Sequence, residues 1–151
     1  MSTKSSASAL GLVAAVILML TGCGTTSQVA DPPAKVTGVA GASVQQVELT
    51  EQAIKRLGIT TQPLRATTFT LAGHAGAHKV IPYSAVVYDT DGSTWTYVNT
   101  AARTYLRQPI RIAAIQGNTA VLSAGPAAGA AVVTVGAPEL LGTEYNISGE
   151  Q

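Results

Sequence analysis

The chain has 151 residues, of which nine are Lys or Arg and eight are Asp or Glu, and 46% are hydrophobic. So even a charge balance presents no basic footprint, which argues against nucleic acid as a partner. A single cysteine, Cys23, rules out an intramolecular disulfide.

The first residues read as an export signal. Lys4 supplies a positive start, residues 9–20 form an uncharged apolar run, and Leu20-Thr21-Gly22-Cys23 follows at once. Twelve apolar residues fall short of the roughly 20 that a membrane-spanning helix needs. Leu-Thr-Gly before Cys23 resembles the lipobox of bacterial lipoproteins. That likeness implies cleavage before Cys23, a lipid on its thiol, and an extracytoplasmic chain anchored in the cell membrane through Cys23. At about 0.8 kcal/mol per buried methylene, two or three acyl chains hold a small domain firmly. The expected organisation is a signal peptide over 1–22, a flexible tether over 23–43 and a folded domain over 44–151. Loss of Lys4 with the leader leaves eight basic against eight acidic residues.

The tether is assigned because residues 24–43 are rich in Gly, Ala, Ser, Thr and Pro and hold few large apolar groups. Val44 to Leu49 alternates weakly, as a strand can. Thr50 is placed to cap a short helix from Glu51 to Leu57. Glu51 suits its positive end, Lys55 and Arg56 its negative end, and Gly58 the left-handed position beyond. Residues 59–64 and 67–72 read as extended. Val80 to Tyr88 is a strand candidate, and Asp89-Thr90-Asp91-Gly92-Ser93 a turn. Thr94 to Asn99 returns, with Trp95 and Tyr97 on one face and Thr94, Thr96 and Val98 on the other. Tyr105 to Ile115 reads as one longer strand in which Pro109 marks an edge or a bulge. Gln116-Gly117-Asn118 turns into a hairpin with Thr119 to Ser123. Val132 to Val135 is a short buried strand, and Pro138 to Leu141 one helical turn ended by Gly142. Short, evenly spaced strands with one short helix predict an all-β fold, a small barrel or sandwich.

Val80-Ile81-Pro82-Tyr83-Ser84-Ala85-Val86-Val87-Tyr88-Asp89, Asp91-Gly92 and Trp95-Thr96-Tyr97-Val98 resemble the C-terminal part of periplasmic adaptor subunits (membrane fusion proteins) of RND-type efflux pumps. The likeness continues through Pro109-Ile110-Arg111-Ile112 and Val132-Val133-Thr134-Val135-Gly136-Ala137, and ends on Glu139-Leu140-Leu141-Gly142-Thr143-Glu144-Tyr145. Upstream, residues 49–59 are similar to the adaptor segment just before its core domains. In that family the two chain ends build one β-rich membrane-proximal domain, with a barrel, a lipoyl-like domain and a helical hairpin between them. Here only residues 66–78 join the matching pieces, and no long heptad pattern occurs. The resemblance therefore implies a membrane-proximal domain alone, on a lipid tether, with a multi-pass transporter permease as its partner.

Candidate chemistry is sparse. His74 and His78, four apart, could share a helical face and ligate zinc or copper, but two glycines in the segment disfavour a helix and the stretch reads as a linker. Asp89, Asp91 and Gly92 miss the spacing of a calcium loop. No nucleophile elbow or phosphate loop is present, so no catalytic residue and no cofactor is assigned. Arg103, Arg107 and Arg111 recur every four residues, which on one uninterrupted strand places all three on one face. That strip is the candidate contact for acidic loops of a partner or anionic lipid heads, or else a solvated sheet face. The expected function is a non-enzymatic interaction module, an accessory component of an RND-type or similar transporter. A small-ligand or metal-binding lipoprotein of the same fold is the alternative, and a hydrolase the weakest reading.

Overall fold

A computed structural model describes residues 32–145. The signal segment and Cys23 lie outside the described residues. The chain is all-β, with eleven strands and two α-helices among the described residues.

Strand β1 (Ala34–Gly38) pairs with β2 (Gln45–Leu49). The stretch read as tether therefore contributes a strand, and the folded part begins before residue 44. This strand has little to bury and takes its stability from the backbone ladder along β2. The amide of Thr50 adds a bond to the Pro33 carbonyl (3.0 Å). Helix α1 (Glu51–Leu57) starts and stops as its sequence predicts. The Thr50 hydroxyl accepts from the Ala53 amide, and Gly58 adopts φ 64°.

Strand β3 (Thr60–Pro63) leads into a hairpin of β4 (Arg65–Leu71) and β5 (His74–Pro82), in register from Arg65↔Val80 to Leu71↔His74. The extended reading of residues 67–72 holds in β4, whereas residues 73–78, read as linker, are the turn and the outer half of β5. Ala72 (φ 50°) and Gly73 (φ 82°) are both left-handed, the turn that matches strand twist. The Val80–Tyr88 stretch is not one strand. A 3-10 turn over Tyr83–Ala85 separates β5 from the two-residue strand β6 (Val87–Tyr88).

Strands β7 (Thr94–Ala101) and β8 (Thr104–Pro109) form the next hairpin. The chain then changes sheet. Ile110 is buried, its amide bonds the Thr94 carbonyl (2.9 Å), and its carbonyl accepts from the Thr94 hydroxyl (2.8 Å). Beyond it β9 (Arg111–Gln116) pairs with β10 (Thr119–Ala124). Pro109 therefore marks a crossing between sheets, and the single strand expected over 105–115 is two. Strand β11 (Ala131–Val135) and helix α2 (Ala137–Glu144) complete the described chain. The helix runs twice as far as the one turn expected, passing through Gly142. Its face of Ala137, Leu140 and Glu144 is buried, and that packing outweighs the weak helix propensity of one glycine.

The strands form two open antiparallel sheets, a packed arrangement rather than a closed barrel. Seven strands make the larger, in the order β1-β2-β8-β7-β11-β3 with β6 beside β7; four make the smaller, in the order β4-β5-β10-β9. The larger sheet is buried on both faces at its centre. Tyr97 and Val133 join Val47, Leu49, Val87 and Tyr105 under Ala53 of α1 and Leu140 of α2. Val98 and Val132 face the other way, against Ile81, Ala120 and Leu122 of the smaller sheet. Trp95 and Tyr97 thus share a face opposite Val98, as the alternation predicts. Gly136, at φ 85°, enters α2 beside Ile59, whose side chain occupies the space a Cβ would need.

Candidate functional site

The densest cluster of charge in the described residues lies where α2 closes on the larger sheet. Arg107 of β8 points into it and is only 4% exposed. Its Nη1 donates to Asp89 Oδ2 (2.6 Å) and to the Tyr145 hydroxyl (3.0 Å), and its Nη2 lies 3.2 Å from Glu144 Oε1. The guanidinium carbon stands 4.5 Å from the Trp95 ring centre and 5.2 Å from that of Tyr145. A flat, weakly hydrated cation is well suited to contact with aromatic rings.

Each acid is held by further donors. Tyr97 donates its hydroxyl to Glu144 Oε2, and the Gln45 amide donates to Oε1 (3.0 Å). Tyr145 donates to Asp89 (2.8 Å to Oδ2), as does the Thr90 amide (2.7 Å to Oδ1). The cluster thereby fastens β2, β7, β8, the turn after β6 and the end of α2 to one another. Its members are stabilising partners of one another, and Glu144, 2% exposed, has little access for a substrate.

The surroundings shift the titrations in the directions this geometry requires. The Tyr145 hydrogen bond, then the Thr90 amide and Arg107, hold the Asp89 carboxyl below the usual carboxylate range. Burial, then the Glu144 carboxylate, pushes the Tyr97 phenol well above the usual tyrosine range. For Arg107, burial works against the charge, but the bonds to Asp89 and Tyr145 and the charge of Glu144 outweigh it.

A pH profile follows. An unfolded aspartate takes its proton near pH 3.9, roughly, and folded Asp89 only at lower pH. Its contribution is present above that value and is lost as the pH falls through the folded pKa. An unfolded tyrosine ionises near about pH 10, while folded Tyr97 stays neutral. That contribution is complete below about pH 10 and declines above it. Stability measured by denaturant titration should therefore be flat in between and fall on both sides. The Asp89→Asn variant should lose the acid limb in part, and Tyr97→Phe the alkaline limb in part, since the Tyr105 and Tyr145 phenols are raised as well.

The arginine strip expected from spacing does not form. Arg103 occupies the turn between β7 and β8 with a left-handed backbone (φ 60°), Arg107 points inward, and Arg111 opens β9 in the other sheet. Period two holds along one strand only, and this segment contains a turn, a strand and a crossing. Arg103 and Arg111 are exposed; Arg107 is withdrawn from any partner.

The histidines are likewise apart. His74 and His78 both lie on β5, where four residues span about 13 Å, too far for a shared ion with bonds near 2 Å. The His74 ring bonds the Ala72 carbonyl (3.1 Å). Among the described residues no group of three His, Cys, Asp or Glu side chains could hold a metal, and no helix is long and apolar enough to cross a membrane. Asp89 and Asp91 serve the turn, where Asp91 accepts from the Ser93 amide (2.8 Å), and Asp89 serves Arg107 besides. A surface hollow of about 450 Å³ between the sheets, lined by Thr94, Trp95, Pro109 and Ile110, brings in one charged side chain, Arg111.

The buried cluster escaped sequence reasoning because its members are far apart in the chain; Tyr97 and Glu144, for example, are separated by 47 positions. The available signal was the tripeptide Thr143-Glu144-Tyr145, an acid followed by an aromatic next to the apolar face of α2. Comparison with family models, with curated proteins and with solved structures finds no match to this chain. What fold and site define together is a class: an all-β domain whose central charges are spent on holding its C-terminal helix in place.

Proposed function

We propose that this chain is a lipid-anchored extracytoplasmic interaction module, non-enzymatic, that docks on the outer face of an RND-type or similar transporter. The observation that carries the reading is how the two adaptor-like stretches sit. Residues 49–59 and 80–145 pack into one body, and their junction is the β4–β5 hairpin, where an adaptor would carry its barrel, lipoyl-like and hairpin domains. The charges support the same reading from the other side. Arg107 is withdrawn into its ion pairs with Asp89 and Glu144, which leaves Arg103 and Arg111 as the exposed arginines of the 103–111 segment, free to meet acidic loops of a partner.

Anchoring and docking are tested separately. The Cys23→Ser change should release the protein from membranes or leave its leader uncleaved. A variant that matures and fractionates like the wild type would remove the anchor from the proposal. Docking is tested by crosslinking in cells from the exposed arginine positions.

A further inference from the structure

The sheet edges differ in how they are protected. Edges of natural sheets are blunted by charge, proline, bulges or shortness, because an open ladder invites another strand. At the edges of the larger sheet, β1 carries Lys35, β3 has four residues and ends on Pro63, and β6 has two residues. In the smaller sheet, β9 is bulged twice against β10 and opens on Arg111. Strand β4 has none of these devices beyond Arg65 at its start. It is seven residues long, in unbroken register with β5, and its remaining residues, Ala66-Thr67-Thr68-Phe69-Thr70-Leu71, are uncharged and mostly β-branched or aromatic. The outer part of the hairpin also runs past its neighbour. Strand β10 pairs only with residues 79–82 of β5, so, among the described residues, 67–71 and 74–78 form a two-stranded ribbon with no third strand. Such a ribbon is marginal in water by itself.

We propose that the free edge of β4 pairs antiparallel with β4 of a second copy of this chain. The sequence is self-complementary in one register. A two-fold axis at Thr68 sets Thr68 against its own copy, Thr67 against the second copy's Phe69, Ala66 against its Thr70 and Arg65 against its Leu71. No like charges face each other, and opposed Thr pairs stabilise such a ladder. Phe69, half-buried and opposite Gly76, which has no side chain to cover it, then lies diagonal to the second copy's Phe69. That spacing, about 7–8 Å, is within reach of two aromatic rings. One added strand buries well under the roughly 800 Å² per partner of a standard interface, so the dimer forms at high local concentration rather than at dilution.

Disulfide trapping in the full-length protein tests the register. Thr68→Cys should give a dimer under mild oxidation, with a peptide linked through position 68 of both copies identified by mass. Thr70→Cys, whose copy lies four residues along the ladder, should not link. The wild type, whose one cysteine is Cys23, shows any background, and far-UV circular dichroism shows that the variants fold. Thr68→Lys, which sets two ammonium groups face to face, should abolish the concentration-dependent dimer seen by sedimentation. Absence of the Thr68→Cys dimer across micromolar to millimolar protein would overturn the proposal. So would equal linking at positions 68 and 70, or capture by the thiol introduced at position 68 of a different protein in place of its own copy.

Discussion

Replacing Arg107 with Met should cost the domain about 3–5 kcal/mol, the usual result of removing one partner from a buried ion pair. The cost comes from what is left behind. Glu144, 2% exposed, would be left without its cation, with only the Tyr97 hydroxyl and the Gln45 amide to hold it. Asp89 would lose its guanidinium, and the Trp95 and Tyr145 rings would lose the cation beside them. A domain of this size is stable by only about 5–15 kcal/mol, so the change consumes a large share. Arg107→Lys keeps the charge but loses the planar fork that reaches Asp89, Glu144 and Tyr145 at once, and should fall between wild type and Met. Adding Glu144→Gln to Arg107→Met should recover part of the loss, because the orphaned charge goes with it. Denaturant unfolding followed by the fluorescence of Trp95, the single tryptophan, measures all three. A loss under about 1 kcal/mol in Arg107→Met, the level of an exposed pair, would mean that the cluster does not hold the domain together.

Leu140→Ala should destabilise by about 2–5 kcal/mol, the range for truncating a buried leucine. Leu140 is fully buried and joins α2 to Tyr97, Val133 and the β2 side chains. The larger sheet is the shared wall of both cores, since adjacent residues Val132 and Val133 face opposite ways. Loss at Leu140 should therefore lower the midpoint for the whole domain in one transition, as monitored by far-UV circular dichroism and by Trp95 together. Two separated transitions would mean that the core under α2 and the core between the sheets unfold independently.

Local chemistry made part of this fold legible. Thr50 and Gly58 set the ends of α1 because capping needs only neighbouring residues. The Asp89–Ser93 turn and the alternation of β7 depend on the same short range. Strand β1 was hidden because Ala34-Lys35-Val36-Thr37-Gly38 has no strong pattern and relies on the edge of β2. Strand β4 was legible in Thr67 to Ala72, but the outer half of β5 was hidden because Gly and Ala carry little strand signal, while the register is fixed by a two-residue turn. The role of Arg107 was hidden for a different physical reason: a spacing of four means one face only where a strand is continuous, and Pro109-Ile110 carries the chain into the other sheet. Its acids come from a turn and from the far end of the described chain, distances that no local pattern spans.

Capture of a transporter in intact cells tests the central reading most directly. A photo-crosslinking residue placed at Arg103 or at Arg111 of the full-length, membrane-anchored chain should recover a multi-pass permease. Reversing the other exposed arginine to Glu should weaken that recovery and make it more sensitive to salt, as expected of rim charges that steer association. The same probe at Arg107 is no substitute, because the side chain is buried and its loss destabilises the domain it reports on. Repeated capture with no transporter, from cells that hold the protein at normal level and in the membrane fraction, would contradict the docking account.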